Sequence, residues 1–408
     1  MKRGRELLAG VVLAGMGILV ALVLLEVGIR WLHLVPDRFW EPDPVLGVRL
    51  IPGHRGWWTQ EDREFLVPVQ INHEGLRDVE HQYAKPAGVF RILVLGDSFV
   101  EAMHVPLEST LARLLEERLN GDLGQGKIEV VSAGVSGYGT SSELLYFERE
   151  GKRYQPDLVL LAFYPGNDVK NNSPTLEDAL KPVYGPDGTL EKVVGEGVRP
   201  QPGGWRGLVA RSDMYHYFRQ ILLIRHPELA QSLIRHGLLK AEAVKTVLQH
   251  DGVPTDYGVY APALDPDWEE AWSHTRALLA RLQSAVSAAG GRLAIAVLST
   301  RDQIYPQWWQ EVLASHPRMQ QRTWDLDVPQ RRVEAWCAEH DVPCKTLAPA
   351  FRAAAADSKE PLHYHHDGHW TVAGHRLAAS ELAGFIEQYE LASRVPTGQA
   401  GVSRNEGH

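Results

Sequence analysis

Four apolar residues in a row, Ile92-Leu93-Val94-Leu95, run directly into Gly96-Asp97-Ser98. A run that is apolar at consecutive positions, not alternate ones, reads as a strand buried on both faces, and that requires helices on both sides of its sheet. A helical pattern opens soon after, with Leu111, Leu114, Leu115 and Leu119 on one face. A serine therefore stands where a buried strand hands over to a helix. In open parallel sheets that rim is where ligands bind. A serine there can be a nucleophile when a base and an oxyanion site converge on it. Taken alone, Gly-Asp-Ser is also a common turn.

The same rhythm recurs. Further strands are expected at 128–131, 157–163, 293–298 and 342–347, with helices near 108–120, 141–152, 267–289, 328–340 and 371–390. Strands alternating with helices at this spacing predict an α/β fold with a doubly wound parallel sheet. Between about 172 and 266 the rhythm breaks. Gly185, Gly188, Pro200, Pro202, Gly203 and Gly204 interrupt it, with helical stretches near 212–226 and 228–250. A structureless loop of that length is improbable in a compact domain, so this reads as an insertion covering or bordering the mouth of the sheet. The polar tail, 392–408, is expected to be disordered.

The N-terminus follows another logic. Residues 7–29 carry a single charge, Glu26. A helix of that length spans roughly 30 Å, the thickness of a bilayer core. Lys2, Arg3 and Arg5 precede it, while Arg30 and Arg38 follow among Asp37, Glu41 and Asp43. The positive excess predicts residues 1–6 in the cytoplasm, an anchor at 7–29 in the lipid bilayer, and the body outside. With no small-x-small cleavage site after the apolar run, the reading is an uncleaved anchor. Glu26 lies near its outer end, where a carboxylate can reach the headgroups. Residues 30–90 read as a membrane-proximal segment, with one edge strand at 65–72 that tolerates Pro68.

Bulk properties narrow the partners. A net charge of −9 argues against a nucleic-acid backbone as ligand. Cys337 and Cys344 lack companions for a zinc site and could form at most one disulfide. No cofactor motif is evident.

Three more stretches fall at the predicted mouth. After the second strand comes Ser132-Ala133-Gly134-Val135-Ser136-Gly137-Tyr138-Gly139, whose glycines let a backbone N–H approach a ligand. After the third comes Tyr164-Pro165-Gly166-Asn167-Asp168, where an asparagine amide could donate to an oxyanion. Before the last helix comes His365-His366-Asp367-Gly368-His369-Trp370. It offers a histidine base and an aspartate for the other ring nitrogen. A metal is disfavoured here, because ligands at helical spacing such as His-x-x-x-His are missing. Asp97 and Asp168 are read as loop braces, His363, His365 and His366 as surface or rim residues, and His375 as structural. Arg301 or Gln303, at the end of the fourth strand, either contacts substrate or pairs locally.

Together the four blocks, Gly96-Asp97-Ser98, Ser136-Gly137, Pro165-Gly166-Asn167-Asp168 and Asp367-Gly368-His369, resemble the SGNH (GDSL) hydrolase superfamily in order and in placement on strand ends. The resemblance implies a flavodoxin-like three-layer α/β/α domain over about 91–391. It implies Ser98 as nucleophile, His369 as base and Asp367 as its orienter. It also implies an oxyanion hole from the Ser98 and Gly137 N–H groups and the Asn167 side chain, with no cofactor or metal. The spacing is Asp-x-His, where the superfamily usually has Asp-x-x-His. It is similar to the Asp-x-His-Trp form of bacterial polysaccharide O-acetyltransferase relatives, such as the alginate-acetylating proteins. The Asn72-x-x-Gly75-Leu76-Arg77-Asp78 stretch resembles one in membrane-anchored bacterial members. The expected activity is hydrolysis of a small-molecule or polysaccharide acyl ester by an extracytoplasmic serine esterase, with O-acyl transfer to a sugar as the alternative.

Overall fold

The structure is a computed structural model that describes residues 2–60, 63–123, 127–176, 181–185, 187–193, 207, 209, 212–236, 249–250, 253–357 and 359–389. The chain divides into two compact units. The first comprises residues 1–38, 56–68 and 199–248, and the second 39–55, 69–198 and 249–408. The expected disordered tail lies outside the described residues.

The first unit holds helix α1, Lys2–Trp31. Within it the segment Ala9–Trp31 has a mean hydropathy of 2.5 and is almost wholly exposed, so this helix is long and apolar enough to cross a bilayer. Its lone carboxylate has a specific job. The Glu26 carboxylate accepts hydrogen bonds from Ser212 Oγ at 2.8 Å, Asp213 N at 3.0 Å and Met214 N at 2.9 Å. These are the first groups of a helix spanning Asp213–Arg225. A helix N-terminus presents unpaired N–H groups and partial positive charge, so a carboxylate is a fitting cap. Glu26 thus serves a protein partner, where the sequence suggested headgroups. A second short helix, Pro227–Arg235, follows, and the rest of the stretch expected to be helical up to 250 is described only at 236 and 249–250.

The second unit contains the sheet. A hairpin of β1, Trp40–Asp43, and β2, Gly47–Leu50, was not legible in the sequence. Two further short strands, β3, Arg55–Thr59, and β4, Leu66–Gln70, pair with each other. The central strands are β5, Phe90–Gly96; β6, Ile128–Gly134; β7, Leu158–Phe163; β8, Arg292–Val297; and β9, Cys344–Thr346. All neighbours are parallel, in the order β9-β8-β7-β5-β6. Numbered by their own succession this is the 2-1-3-4-5 order of a flavodoxin-like sheet. Alternate residues of β5 serve opposite layers. Leu93 and Leu95 join a core with Leu145, Trp272, Leu282 and Trp336, whereas Ile92 and Val94 join one with Leu115, Leu119, Phe351 and Leu382. A strand with two apolar faces needs both layers, which is why its four residues carry no polar position.

Among the described residues, the helices that escaped the sequence reading include Arg301–Ile304, Pro306–Ser315 and Ala348–Asp357. The first two occupy stretches broken by Pro306, and the third begins immediately after a very short strand. Cys337 and Cys344 are free thiols.

Candidate active site

Ser98 opens a four-residue helix, α2, Ser98–Glu101, at the end of β5. Asp97 caps it, accepting from Phe99 N at 2.9 Å. Gly96 is glycine by necessity: a Cβ there would sit 2.3 Å from Val100 Cγ2. The serine is therefore held on a sharp turn with its side chain partly exposed.

The candidate base arrives from 271 residues away. His369 Nε2 lies 2.7 Å from Ser98 Oγ, and His369 Nδ1 lies 2.6 Å from Asp367 Oδ1. An ionised carboxylate only accepts, so Nδ1 carries the proton and Nε2 is free to accept from the serine hydroxyl. Asp367 also accepts from the backbone N–H of His369 at 3.0 Å. Burial works to raise the Asp367 pKa, but the His369 hydrogen bonds and charge prevail and bring it down to about 2. The one-residue linker works because Gly368 adopts φ +86°, a left-handed turn that bends Asp367 back onto the ring. Tyr364 N donates to His369 O at 2.8 Å and Gly368 N to Tyr364 O at 3.1 Å, closing the loop.

The remaining residues expected at the site converge on the same rim. Gly137 follows β6 with φ +80° and is exposed. Asn167 follows β7, and its Nδ2 donates to Asp97 Oδ2 at 2.7 Å. One amide hydrogen is thus spent on bracing, and one is left for a ligand. Asp168 accepts from Tyr164 N at 2.8 Å and holds the turn that carries Asn167. Burial first and neighbouring carboxylates next push the pKa values of Asp168 and Glu143 well above the usual range. A cleft of about 490 Å³ is lined by Gly137 and Asn167 together with polar side chains including Ser136, Ser142, Lys170 and Asn171.

Other assignments shift. His363 is fully buried, against Phe351 and Tyr305, and is not a rim residue. Burial drives its pKa down to about 3, so it packs as a neutral ring. His365 and His366 are exposed, and His375 is buried in the last helix, Val372–Gln388. Arg301 pairs with Asp302 at 3.2 Å and donates to His365 O at 2.5 Å, while Thr300 and Gln303 form a capping box. Sequence reasoning missed His104. Its ring stacks on His369 with centroids 3.9 Å apart, and its Nε2 lies 3.5 Å from Asp367 Oδ1. No motif marks it; only the fold brings it there. Burial, then the neighbouring His369, holds His104 well below the usual histidine value. His104, Asp367 and His369 are close enough to hold a metal ion. Both His369 nitrogens, however, are already engaged by Asp367 and Ser98.

Residues 262–407 match the family described as the SGNH hydrolase-like domain of the acetyltransferase AlgX. Over that stretch the chain is similar to an SGNH hydrolase-like domain. The match takes in Asp367 and His369, while Ser98, Gly137 and Asn167 lie ahead of it. Among solved structures the chain is similar to a lipase/acylhydrolase from Enterococcus faecalis, at 14% identity and TM-score 0.34, over 74% of this chain and 97% of that one. It is similar to the acetyl xylan esterase AlAXEase at 11% identity and TM-score 0.38, over 72% and 98%. It is also similar to CEX, a two-domain esterase active on acetylated mannans, at 11% identity and TM-score 0.35, over 78% and 53%. No curated protein matches the chain.

Proposed function

We propose that this SGNH hydrolase-like protein is a membrane-anchored serine esterase that removes short acyl groups from a carbohydrate outside the cytoplasm. The hydrogen-bonded line from Ser98 Oγ through His369 to Asp367, at 2.7 and 2.6 Å, carries the reading. Ser98 Oγ attacks the ester carbonyl as its proton passes to His369 Nε2. The carbonyl oxygen becomes an oxyanion facing the Ser98 and Gly137 N–H groups and the free hydrogen of the Asn167 amide. Imidazolium then returns the proton to the departing alcohol oxygen, leaving an acyl-serine. Water, deprotonated by His369, releases the acid and regenerates the serine.

The cleft mixes Ser136, Ser142, Lys170 and Asn171 with Leu46, Val48 and Tyr138, which supports an alcohol that offers both hydroxyl groups and apolar faces, as a sugar does. The match to the domain of an acetyltransferase supports a second reading, in which a sugar hydroxyl replaces water at the acyl-serine. The apolar helix near the N-terminus, led by Lys2, Arg3 and Arg5, supports an anchor with the catalytic unit outside.

The test is turnover of short acyl esters by the wild-type protein and by Ser98→Ala, with product analysis in the presence of an unacetylated polysaccharide. Acid release lost in the variant supports the esterase, and acyl groups found on the polysaccharide support transfer. Full activity in Ser98→Ala overturns both. A reporter fused to the C-terminus that is active only in the cytoplasm would overturn the orientation.

A further inference from the structure

Glu101 closes the nucleophile helix, three residues after Ser98, and is fully buried. Such a carboxylate is expensive unless donors meet it. Here every partner is a donor. Trp40 Nε1 donates to Oε1 at 2.8 Å, and both the hydroxyl and the backbone N–H of Ser136 donate to the carboxylate. Ser136 is the residue immediately before Gly137. One carboxylate therefore ties the helix that carries Ser98 to the loop that carries the proposed oxyanion donor.

Gly137 needs such a tie. It has no side chain, is exposed, and sits at positive φ. The direction of its N–H is set by its flanks. On one side Tyr138 is pinned by its hydroxyl, which donates to Val48 O at 3.0 Å, and by its N–H, which donates to Val135 O at 3.0 Å. On the other side stands Ser136, held by Glu101.

The far end of the nucleophile helix is also fastened. The buried Arg77 guanidinium donates to the carbonyls of Glu101, at 3.1 Å, Ala102, and Val105, at 2.5 Å. Ala102 ends the helix in the left-handed conformation, φ 53°. Arg77 belongs to the Asn72-x-x-Gly75-Leu76-Arg77-Asp78 stretch. Asn72 shapes that turn by accepting from Leu76 N at 2.8 Å, and Asp78 accepts from Ser132 N, in β6, at 2.7 Å. The stretch thus braces both strand ends that frame the oxyanion donors.

We propose that Glu101 is a positioning residue that fixes the Gly137 N–H against Ser98 by gripping Ser136, with Arg77 holding the end of the helix on which Glu101 sits. The inference rests on the reading of Ser98 and Gly137 given above. Glu101→Gln places an NH₂ where a donor already points, and Ser136→Ala removes the hydroxyl. A donor misplaced rather than deleted costs less than the 10²–10³ of outright removal, so each variant should lower kcat about 10- to 100-fold. KM should change by less than about 3-fold, since the ground-state carbonyl gains little from the hole. The double variant should be no slower than the worse single one, because both break the same link. Ser136→Thr keeps the hydroxyl and should restore kcat to within about 3-fold of wild type. Ser136 lies on a half-buried loop, so its variants test the idea even if Glu101→Gln fails to fold. Wild-type kcat in Ser136→Ala, additive losses in the double variant, or equal losses in Ser136→Ala and Ser136→Thr would overturn the inference. If Ser98→Ala is inactive in those experiments, the esterase reading survives without it. If Ser98→Ala turns over, both fall.

Discussion

Two loops meet at the candidate site, and they are built in different ways. The base loop, 364–371, is shaped by bonds within itself, Asp367 to His369, Tyr364 to His369 and Gly368 to Tyr364, with Arg301 and His104 reaching it from outside. The nucleophile turn, 97–101, is wired to distant parts of the chain: Asp97 to Asn167, Glu101 to Trp40 and Ser136, with Arg77 on its carbonyls. Their two aspartates show the consequence. Both are buried, yet the Asp367 pKa falls to about 2 beside His369, while burial raises the Asp97 pKa despite its partners. Burial alone does not set a carboxyl's pKa; the hydrogen bonds it accepts decide whether burial prevails. Asp367 therefore suits the orienting of an imidazolium, and Asp97 suits the bracing of a turn.

The comparison can be broken or sharpened in order of expected effect. Ser98→Ala should remove turnover, by a factor on the order of 10⁶ in kcat, without changing the far-UV dichroism. Asp367→Asn keeps the shape of the base loop but favours the wrong imidazole tautomer, and should cost on the order of 10⁴ in kcat. A loss comparable to that of Asp97→Asn would erase the distinction between the two aspartates. Asn167→Ala removes one proposed oxyanion donor and should lower kcat on the order of 10²–10³, measured with an acetyl ester.

Stability should separate the loops more gently. The Asp367 pKa is depressed on folding, so its contribution is complete above the ordinary aspartate value. That contribution fades as pH falls through about 4 towards about 2. Denaturant titration at these pH values should show about 2 kcal/mol lost, and a smaller loss in Asp367→Asn. Gly368→Ala meets no close neighbour, the nearest atom being Arg301 Cδ at 3.9 Å. Its whole cost is the left-handed backbone, about 1–2 kcal/mol, seen as a fall in Tm.

The base loop was the readable one. Asp367, Gly368 and His369 are contiguous, so their partnership is written in the chain. The sheet was equally readable, since consecutive apolar residues such as Ile92 to Leu95 have no stable place except between two layers. The short hairpin of β1 and β2 left no such mark, because strands of four residues carry too little periodicity. The helices Arg301–Ile304, Pro306–Ser315 and Ala348–Asp357, of four to ten residues, were obscured by a proline and by adjoining a short strand. His363 and His104 were misjudged or unseen for one reason: a histidine's burial depends on what the fold lays over it.

By itself the sequence determined the parallel sheet, the apolar N-terminal helix, and the candidate residues Ser98, Gly137, Asn167, Asp367 and His369. Local periodicity and contiguous motifs carry that information at short range. The tertiary structure decided the rest: that Asn167 spends one hydrogen on Asp97, that His104 stacks on His369, and that Glu101 grips Ser136. Those contacts join residues tens to hundreds of positions apart, and their geometry exists only once strand order and register have brought the loops to one rim.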